Sequence, residues 1–140
     1  MTSKSIGSVA ADANVLLSAA IGKAARRVFD GAPELRVVTS EVTLAEVRQY
    51  LPMMAAKYGL SLAKLERDLN LLPLEILSEP HYRGRLADAR SHLGRRDPDD
   101  IALAAVALTL RIPFWSHDKD LDEVPLERYT TGRLLNALGL

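Results

Sequence analysis

Arg96-Asp97-Pro98-Asp99-Asp100, the apolar run Ile101 to Leu108, and then Pro113-Phe114-Trp115-Ser116-His117-Asp118-Lys119-Asp120 form the stretch that decides the fold. It spells an acidic turn, a buried helix, a short buried strand and a second acidic turn. Asp97 suits an N-cap and Pro98 the first helical position, and acids in a first turn are favoured by the helix dipole. At ~1.5 Å per residue the helix is about 20 Å long, enough to run back along the strand Pro113 to His117. A helix joined to a neighbouring strand by a short link lies antiparallel to it, so its start falls near that strand's end. The two acidic turns are therefore expected to meet in space.

The flanking segments repeat the alternation. Ile6-Gly7-Ser8-Val9-Ala10-Ala11 reads as a first strand, within Ser5 to Asp12, small and apolar enough to be buried. Asp12-Ala13-Asn14 turns into a helix from Val15 through Ile21 and on to Phe29, stopped by Gly31-Ala32-Pro33. Leu35 to Thr39 is a second strand. The helix after it places Leu44, Val47, Leu51 and Met54 at helical spacing, with a kink or break expected at Pro52. Ser61 suits the N-cap of a helix to Leu69. Leu74 to Leu77 reads as a third strand, Tyr82 to Leu93 as an Arg-rich helix ended by Gly94, Tyr129-Thr130 as an edge strand and Thr131 to Leu138 as a last helix. Short apolar strands alternating with helices predict an α/β domain with a mainly parallel sheet of four to five strands.

With 140 residues, the chain suits a single domain, 1–140, able to bury a core without staples. There is no cysteine, which excludes disulfides and Cys-ligated zinc or iron–sulfur sites. A net charge of zero argues against a generally basic nucleic-acid binder. The charge is nevertheless grouped. Lys23, Arg26 and Arg27 form one basic cluster, and Arg83, Arg85, Arg90, Arg95 and Arg96 another. They read either as solvated helix faces or as phosphate contacts flanking an acidic site. Asp12 and Asn14 interrupt the apolar stretch Ile6 to Ile21 and argue against a signal peptide. No apolar run approaches the ~20 residues that span a bilayer, so no membrane association is expected and the cytoplasm is the default location.

In a parallel sheet, strand ends and the starts of the following helices share the edge where ligands bind. Asp12 closes the first strand, Glu46 lies early in the helix after the second, Asp97, Asp99 and Asp100 open the apolar helix, and Asp118 and Asp120 follow the fourth strand. Each acid has a plain structural reading. Thr43-Leu44-Ala45-Glu46 fits a capping box with Glu46 reaching back, the Asp97 group fits a helix start, and Asp118 could cap a turn. Asp12, a lone acid closing a buried strand, is the hardest to explain that way. Together the carboxylates repel and call for a counter-charge. Oxygen ligands suit Mg²⁺ or Mn²⁺. His81, His92 and His117 lack zinc-type spacing. The Asp118-x-Asp120-x-Asp122 pattern fails as a calcium loop, because Glu123 and Tyr129 stand where Gly and Glu are needed. Carboxylate-held Mg²⁺ commonly serves phosphodiester chemistry, and no nucleophile-elbow or phosphate-loop motif offers an alternative.

Asp12 to Ala19, Thr43 to Val47, Asp97 to Ala105 and Trp115 to Leu121 resemble, in order and spacing, the successive motifs of the PIN domain family, including its bacterial VapC-type toxin ribonucleases. The resemblance spans essentially the whole chain. It implies a three-layer α/β/α fold and a Mg²⁺- or Mn²⁺-dependent endoribonuclease. Asp12, Glu46, Asp100 and Asp118 fall on the family's acidic positions. Asp12 and Asp100 are then the main metal ligands, Asp118 contributes directly or through water, and Glu46 holds water or a second ion. Asn14, Asp97, Ser116 and Asp120 are expected beside the metal ligands, and either Asp97 or Asp120 could replace a neighbour as ligand. Arg26, Arg27, Arg95 and Arg96 are candidates to hold the RNA backbone.

The resemblance further suggests the toxin of a toxin–antitoxin pair, a homodimer inhibited by a small antitoxin protein. Met53, Met54, Tyr58 and Leu62 would form an apolar contact surface or simply pack in the core. Two rival readings are a non-catalytic module that docks RNA or protein, and a small metal-dependent phosphohydrolase.

Overall fold

The computed structural model of the chain describes residues 6–94 and 97–140. Its five strands are β1 (Ser8–Ala11), β2 (Arg36–Ser40), β3 (Leu74–Leu77), β4 (Phe114–Trp115) and β5 (Arg128–Tyr129). They form one sheet in the order β3-β2-β1-β4-β5, and every neighbouring pair is parallel. The helices are α1 (Ala13–Ala20), α2 (Ala24–Gly31), α3 (Glu41–Tyr58), α4 (Leu62–Leu71), α5 (Glu79–Tyr82), α6 (Leu86–Leu93), α7 (Pro98–Leu110) and α8 (Thr131–Ala137).

Alternating side chains of the central strands serve two cores, which is what makes the three layers. Val9, Ala11, Val37 and Trp115 pack on one face with apolar residues of α1 to α4 and α8. Ala10, Val38 and Phe114 pack on the other with α6 and α7 and with Tyr82, Leu121 and Val124. A parallel sheet covered on both faces needs apolar residues at successive positions rather than alternation with polar ones, and β1, β2 and β4 supply them. Every residue of α7 from Ile101 to Leu108 is buried, as the apolar run requires.

Chain direction sets the location of the site. From β1 the chain steps outward through β2 to β3, then returns to the other side of β1 for β4 and β5. That reversal makes a crevice at the carboxyl ends of β1 and β4, the usual ligand position in such sheets. Asp12 follows β1 there, and Ser116 to Asp118 follow β4. Thr39 closes the same edge by donating from Oγ1 to the carbonyl of Ala11 at 2.9 Å.

Three local expectations are corrected. The helix expected from Val15 to Phe29 is two helices, parted at Gly22, whose φ of 81° is a left-handed conformation that glycine adopts freely. Pro52 does not break α3, which runs from Glu41 to Tyr58 and stops at Gly59, with φ 63°. Pro52 is exposed between the buried anchors Leu51 and Ala55, so the helix loses a backbone bond on its wet side while its packed side holds. The Arg-rich segment expected as one helix is α5, a 3₁₀ turn at Arg83–Arg85, and α6. Two further expectations are met. Ser61 caps α4, accepting from the Lys64 N–H at 3.3 Å, and β5 is an edge strand.

Candidate active site

Asp12 is placed by three bonds. As N-cap of α1 it accepts from the Val15 N–H at 3.0 Å through Oδ1, its other oxygen accepts from the Ser116 hydroxyl, and its own N–H reaches the carbonyl of Trp115. Ser116, fully buried, uses the same Oγ to accept from the N–H of Asp118 at 2.9 Å. One hydroxyl thus ties the acid ending β1 to the backbone of the acid following β4. Asp118 in turn caps the next turn, accepting from the Asp120 N–H at 2.9 Å. Arg128 secures this loop from outside through the Ser116 carbonyl and a two-pronged ion pair with Asp122.

Glu46 is not part of a capping box. Ser40 is the N-cap of α3, accepting from the Thr43 N–H at 2.9 Å and bonded to the Thr43 hydroxyl at 2.8 Å. Thr43 therefore occupies the N3 position, and Glu46 lies a turn too far along to reach back to the cap. Its carboxyl is left to the crevice. Asp97 does cap α7, accepting from the Asp99 N–H at 2.9 Å, and Asp99 and Asp100 follow in the first turn.

The crevice holds a cavity of about 50 Å³ lined by Asp12, Asn14, Thr43, Glu46, Asp99, Asp100 and Asp118, with Ala13 and Leu103 as apolar floor. None of the described residues lining it is basic. The electrostatics register that excess of negative charge. Burial, then the carboxylates of Asp118, Asp97, Asp12 and Asp99, push Asp100 up to about 6. Burial, a hydrogen bond with the Asp99 carboxyl, and the charges of Asp99, Asp97 and Asp100 push Glu46 up to about 8. Asp12, only 9% exposed, is raised by burial, against the opposing effects of the Ser116 hydroxyl, the Val15 N–H and the charge of His117. Carboxyl oxygens of Glu46, Asp97 and Asp99 all lie within 4.8 Å of one another, a spacing that one cation could bridge.

Of the residues singled out from sequence, Asp12, Asn14, Glu46, Asp100 and Asp118 line one cavity, Asp97 stands at its rim beside Glu46, and Ser116 lies buried behind it. Asp120 is exposed and enters through its backbone. Arg26 is occupied elsewhere, donating from Nε to the Ala19 carbonyl at 2.9 Å and lying 3.8 Å from Asp68. Arg27 is exposed on α2, and Arg95 and Arg96 lie outside the described residues. Thr43 and Asp99 line the cavity as well: from sequence Asp99 is one of the acids at this edge without an assigned role, and Thr43 is only the first letter of a capping box. For Asp99 the signal was available, since a doubled acid after Asp97-Pro98 exceeds what one helix start needs.

The family model for the PIN domain matches residues 10–139. Comparison with curated proteins finds no match. Among solved structures, the chain is similar to one from the VapBC2 complex of Rickettsia felis bound to a DNA fragment from its promoter. The identity is 16%, the TM-score 0.63, and 87% of this chain and 97% of the other are covered. It is also similar to PAE2754 of Pyrobaculum aerophilum at 16% identity, TM-score 0.69, covering 96% of this chain and 91% of the other. At these identities the structural likeness speaks for the fold alone, and the fold agrees with the match that spans nearly the whole sequence: this chain belongs to the PIN domain family.

Proposed function

We propose that the chain is a Mg²⁺- or Mn²⁺-dependent endoribonuclease. The observation that carries this reading is the convergence of Asp12, Glu46, Asp99, Asp100 and Asp118 on one small cavity at the switch point of the sheet, with no basic side chain among the described lining residues. The donor set fits a hard divalent cation. It is entirely oxygen, it comes from separate rigid elements, and the upward push on Glu46 and Asp100 is the mark of charge that a cation would neutralise. Asp12, Asp100 and Asp118 would hold such an ion. Glu46, with Asp97 and Asp99, would hold water or a second one.

A bound divalent cation supplies Lewis acidity toward a phosphodiester oxygen. The chain's own part is positioning. Ser116 fixes the carboxylate of Asp12 and the backbone of Asp118 in mutual register, and α7 delivers Asp100 against both. With a cation offsetting the neighbouring carboxylates, Glu46 would be ionised and would accept the proton that water loses as its oxygen bonds to phosphorus; the phosphorus–oxygen bond to the leaving ribose breaks, and that ribose oxygen takes a proton from solvent. The lone Asn14 amide, exposed at the cavity mouth, can donate to a phosphate oxygen.

The family, and the likeness to a chain of VapBC2, support a toxin restrained by an antitoxin; a homodimer acting in the cytoplasm is part of the same proposal. Among the described residues no helix is long and apolar enough to cross a membrane.

The test is cleavage of a mixed pool of single-stranded RNA with Mg²⁺ or Mn²⁺, with and without EDTA, by wild type, Asp12→Asn and Asp100→Asn. Cleavage that needs the metal and disappears in both variants supports the reading. Metal-dependent cleavage that survives in either variant overturns the site assignment. RNA binding without cleavage would mean a docking module, and turnover of a generic phosphomonoester without RNA cleavage a phosphohydrolase.

A further inference from the structure

A second hollow opens directly off the acidic cavity. It is about 490 Å³ in volume and shares Asn14 and Glu46 with the cavity. Its walls are of a different kind: Leu17 and Ile21 of the α1 segment on one side, Tyr50, Met53 and Tyr58 of α3 on the other. Three of these are more exposed than their size warrants, Met53 at 59%, Tyr50 at 41% and Tyr58 at 38%. Pro52 leaves α3 continuous, so Tyr50 and Tyr58, eight residues apart, stay on one helix and line one groove.

Positive charge is concentrated at the far end of this groove, although the chain's net charge is zero. The Lys23 ammonium lies 4.4 Å from the centroid of the Tyr58 ring and donates to its hydroxyl at 3.2 Å. A second ammonium, Lys57, lies 5.5 Å from the same centroid. The order along the surface is thus carboxylates, then aromatic and apolar wall, then ammonium groups. A single-stranded nucleic acid presents a complementary order, with phosphates separated by flat, apolar bases.

We propose that this groove is the subsite for an unpaired base of the RNA strand next to the bond being cut, with Tyr50 and Met53 as the apolar wall on which the base stacks and Lys23 as the contact to the following phosphate. The inference rests on the nuclease reading above and deepens it. It explains how a site lined with carboxylates can hold a polyanion, because binding comes from stacking and from cations beyond the cavity. A base can stack on Tyr50 and Met53 only when it is unpaired, so the groove also selects against duplex.

The experiment uses a fluorescein-labelled single-stranded RNA 12-mer and, in a second arm, the same sequence as a duplex. Binding is read by anisotropy in Ca²⁺, and cleavage kinetics are read in Mn²⁺, for wild type, Tyr50→Ala, Tyr50→Phe, Met53→Ala and Lys23→Ala. Losing one stacked base should weaken single-strand binding about fivefold to a hundredfold in Tyr50→Ala. KM should rise and kcat change less, while Tyr50→Phe stays within about twofold and duplex binds poorly throughout. Lys23→Ala should flatten the salt dependence of binding. The proposal is overturned if wild type cleaves the RNA while Tyr50→Ala and Met53→Ala bind and cleave it equally well, or if those variants only turn a dimer into a monomer in sedimentation with RNA affinity unchanged. Wild type that neither binds nor cleaves RNA overturns the nuclease reading itself, and with it the groove.

Discussion

Replacing Glu46 by Gln should stabilise the protein when metal is withheld, although it removes a group proposed to serve catalysis. A carboxyl pushed up to about 8 from an ordinary 4.5 is one whose ionised form the folded state disfavours. A gap of that size, at about 1.4 kcal/mol per pH unit, sets a ceiling of about 5 kcal/mol on the cost of ionising Glu46 in the fold. Glu46 is only half-buried, and solvent screens it, so about 1–2 kcal/mol is the expected cost. Removing the charge while keeping the shape should recover that amount, or about 3–10 °C in melting temperature for a domain of this size.

The sign with pH follows. The folded-state value lies above the unfolded one, so the penalty is fully present above pH 8, shrinks as pH falls through 8, and is gone below about 4.5. Thermal unfolding followed by circular dichroism in EDTA, at steps from pH 8.5 to 4.5, would show Glu46→Gln above wild type at the alkaline end, with the two curves converging at the acid end. Adding Mn²⁺ at pH 8 should raise wild type more than the variant. A variant less stable than wild type at pH 8.5, or a gap that does not close as pH falls, would refute the claim that Glu46 sits in uncompensated negative charge.

Asp100→Asn, at a position also pushed upward by burial and its neighbours, should lower the cleavage rate by about a hundredfold or more while leaving the metal-free melting temperature equal or higher; a matched fall in both would mark a folding defect instead. Ser116→Ala removes the donor to Asp12 and the acceptor of the Asp118 N–H, and should cost about 1.5–3 kcal/mol in urea unfolding at neutral pH. Pro52→Ala should stabilise α3 by about 1–3 kcal/mol, because an exposed interior position regains a backbone bond; no change would mean that a bend at Pro52 is needed for packing.

The sequence made the sheet legible because its strands are buried on both faces. Val9-Ala10-Ala11, Val37-Val38 and Phe114-Trp115 must be apolar at successive positions, and no surface helix mimics that over so few residues. The burial of α7 was legible for a related reason: one unbroken apolar run has no face to give to water, and the helix packs across β1 and β2. What stayed hidden was decided by single residues whose effect depends on their surroundings. Gly22 breaks the first helix because the chain turns there, and Gly31 could have served as well on sequence alone. Pro52 fails to break α3 because its ring is on the wet side, which local spacing does not reveal.

The acidic residues carry the same lesson further. Thr43 and Glu46 form the letters of a capping box, and only the position of the true N-cap, Ser40, one turn earlier, shows that Glu46 has no backbone N–H to satisfy. A carboxylate with no backbone N–H to satisfy, bonded only to another carboxyl and facing others that raise its affinity for a proton, adds no stability to the fold in its ionised form. Asp97 is the contrast. It satisfies the Asp99 N–H at the start of α7 and stays exposed, so the fold accounts for it. The distinction between a carboxylate that the fold uses and one that it merely tolerates is therefore a distinction of hydrogen-bond partners, not of spacing. It singles out Glu46 and Asp100, both pushed upward by burial and their acidic neighbours, as carboxyls whose neutral variants should not destabilise the metal-free fold, whereas Asp12 and Asp118 serve the fold and line the cavity alike.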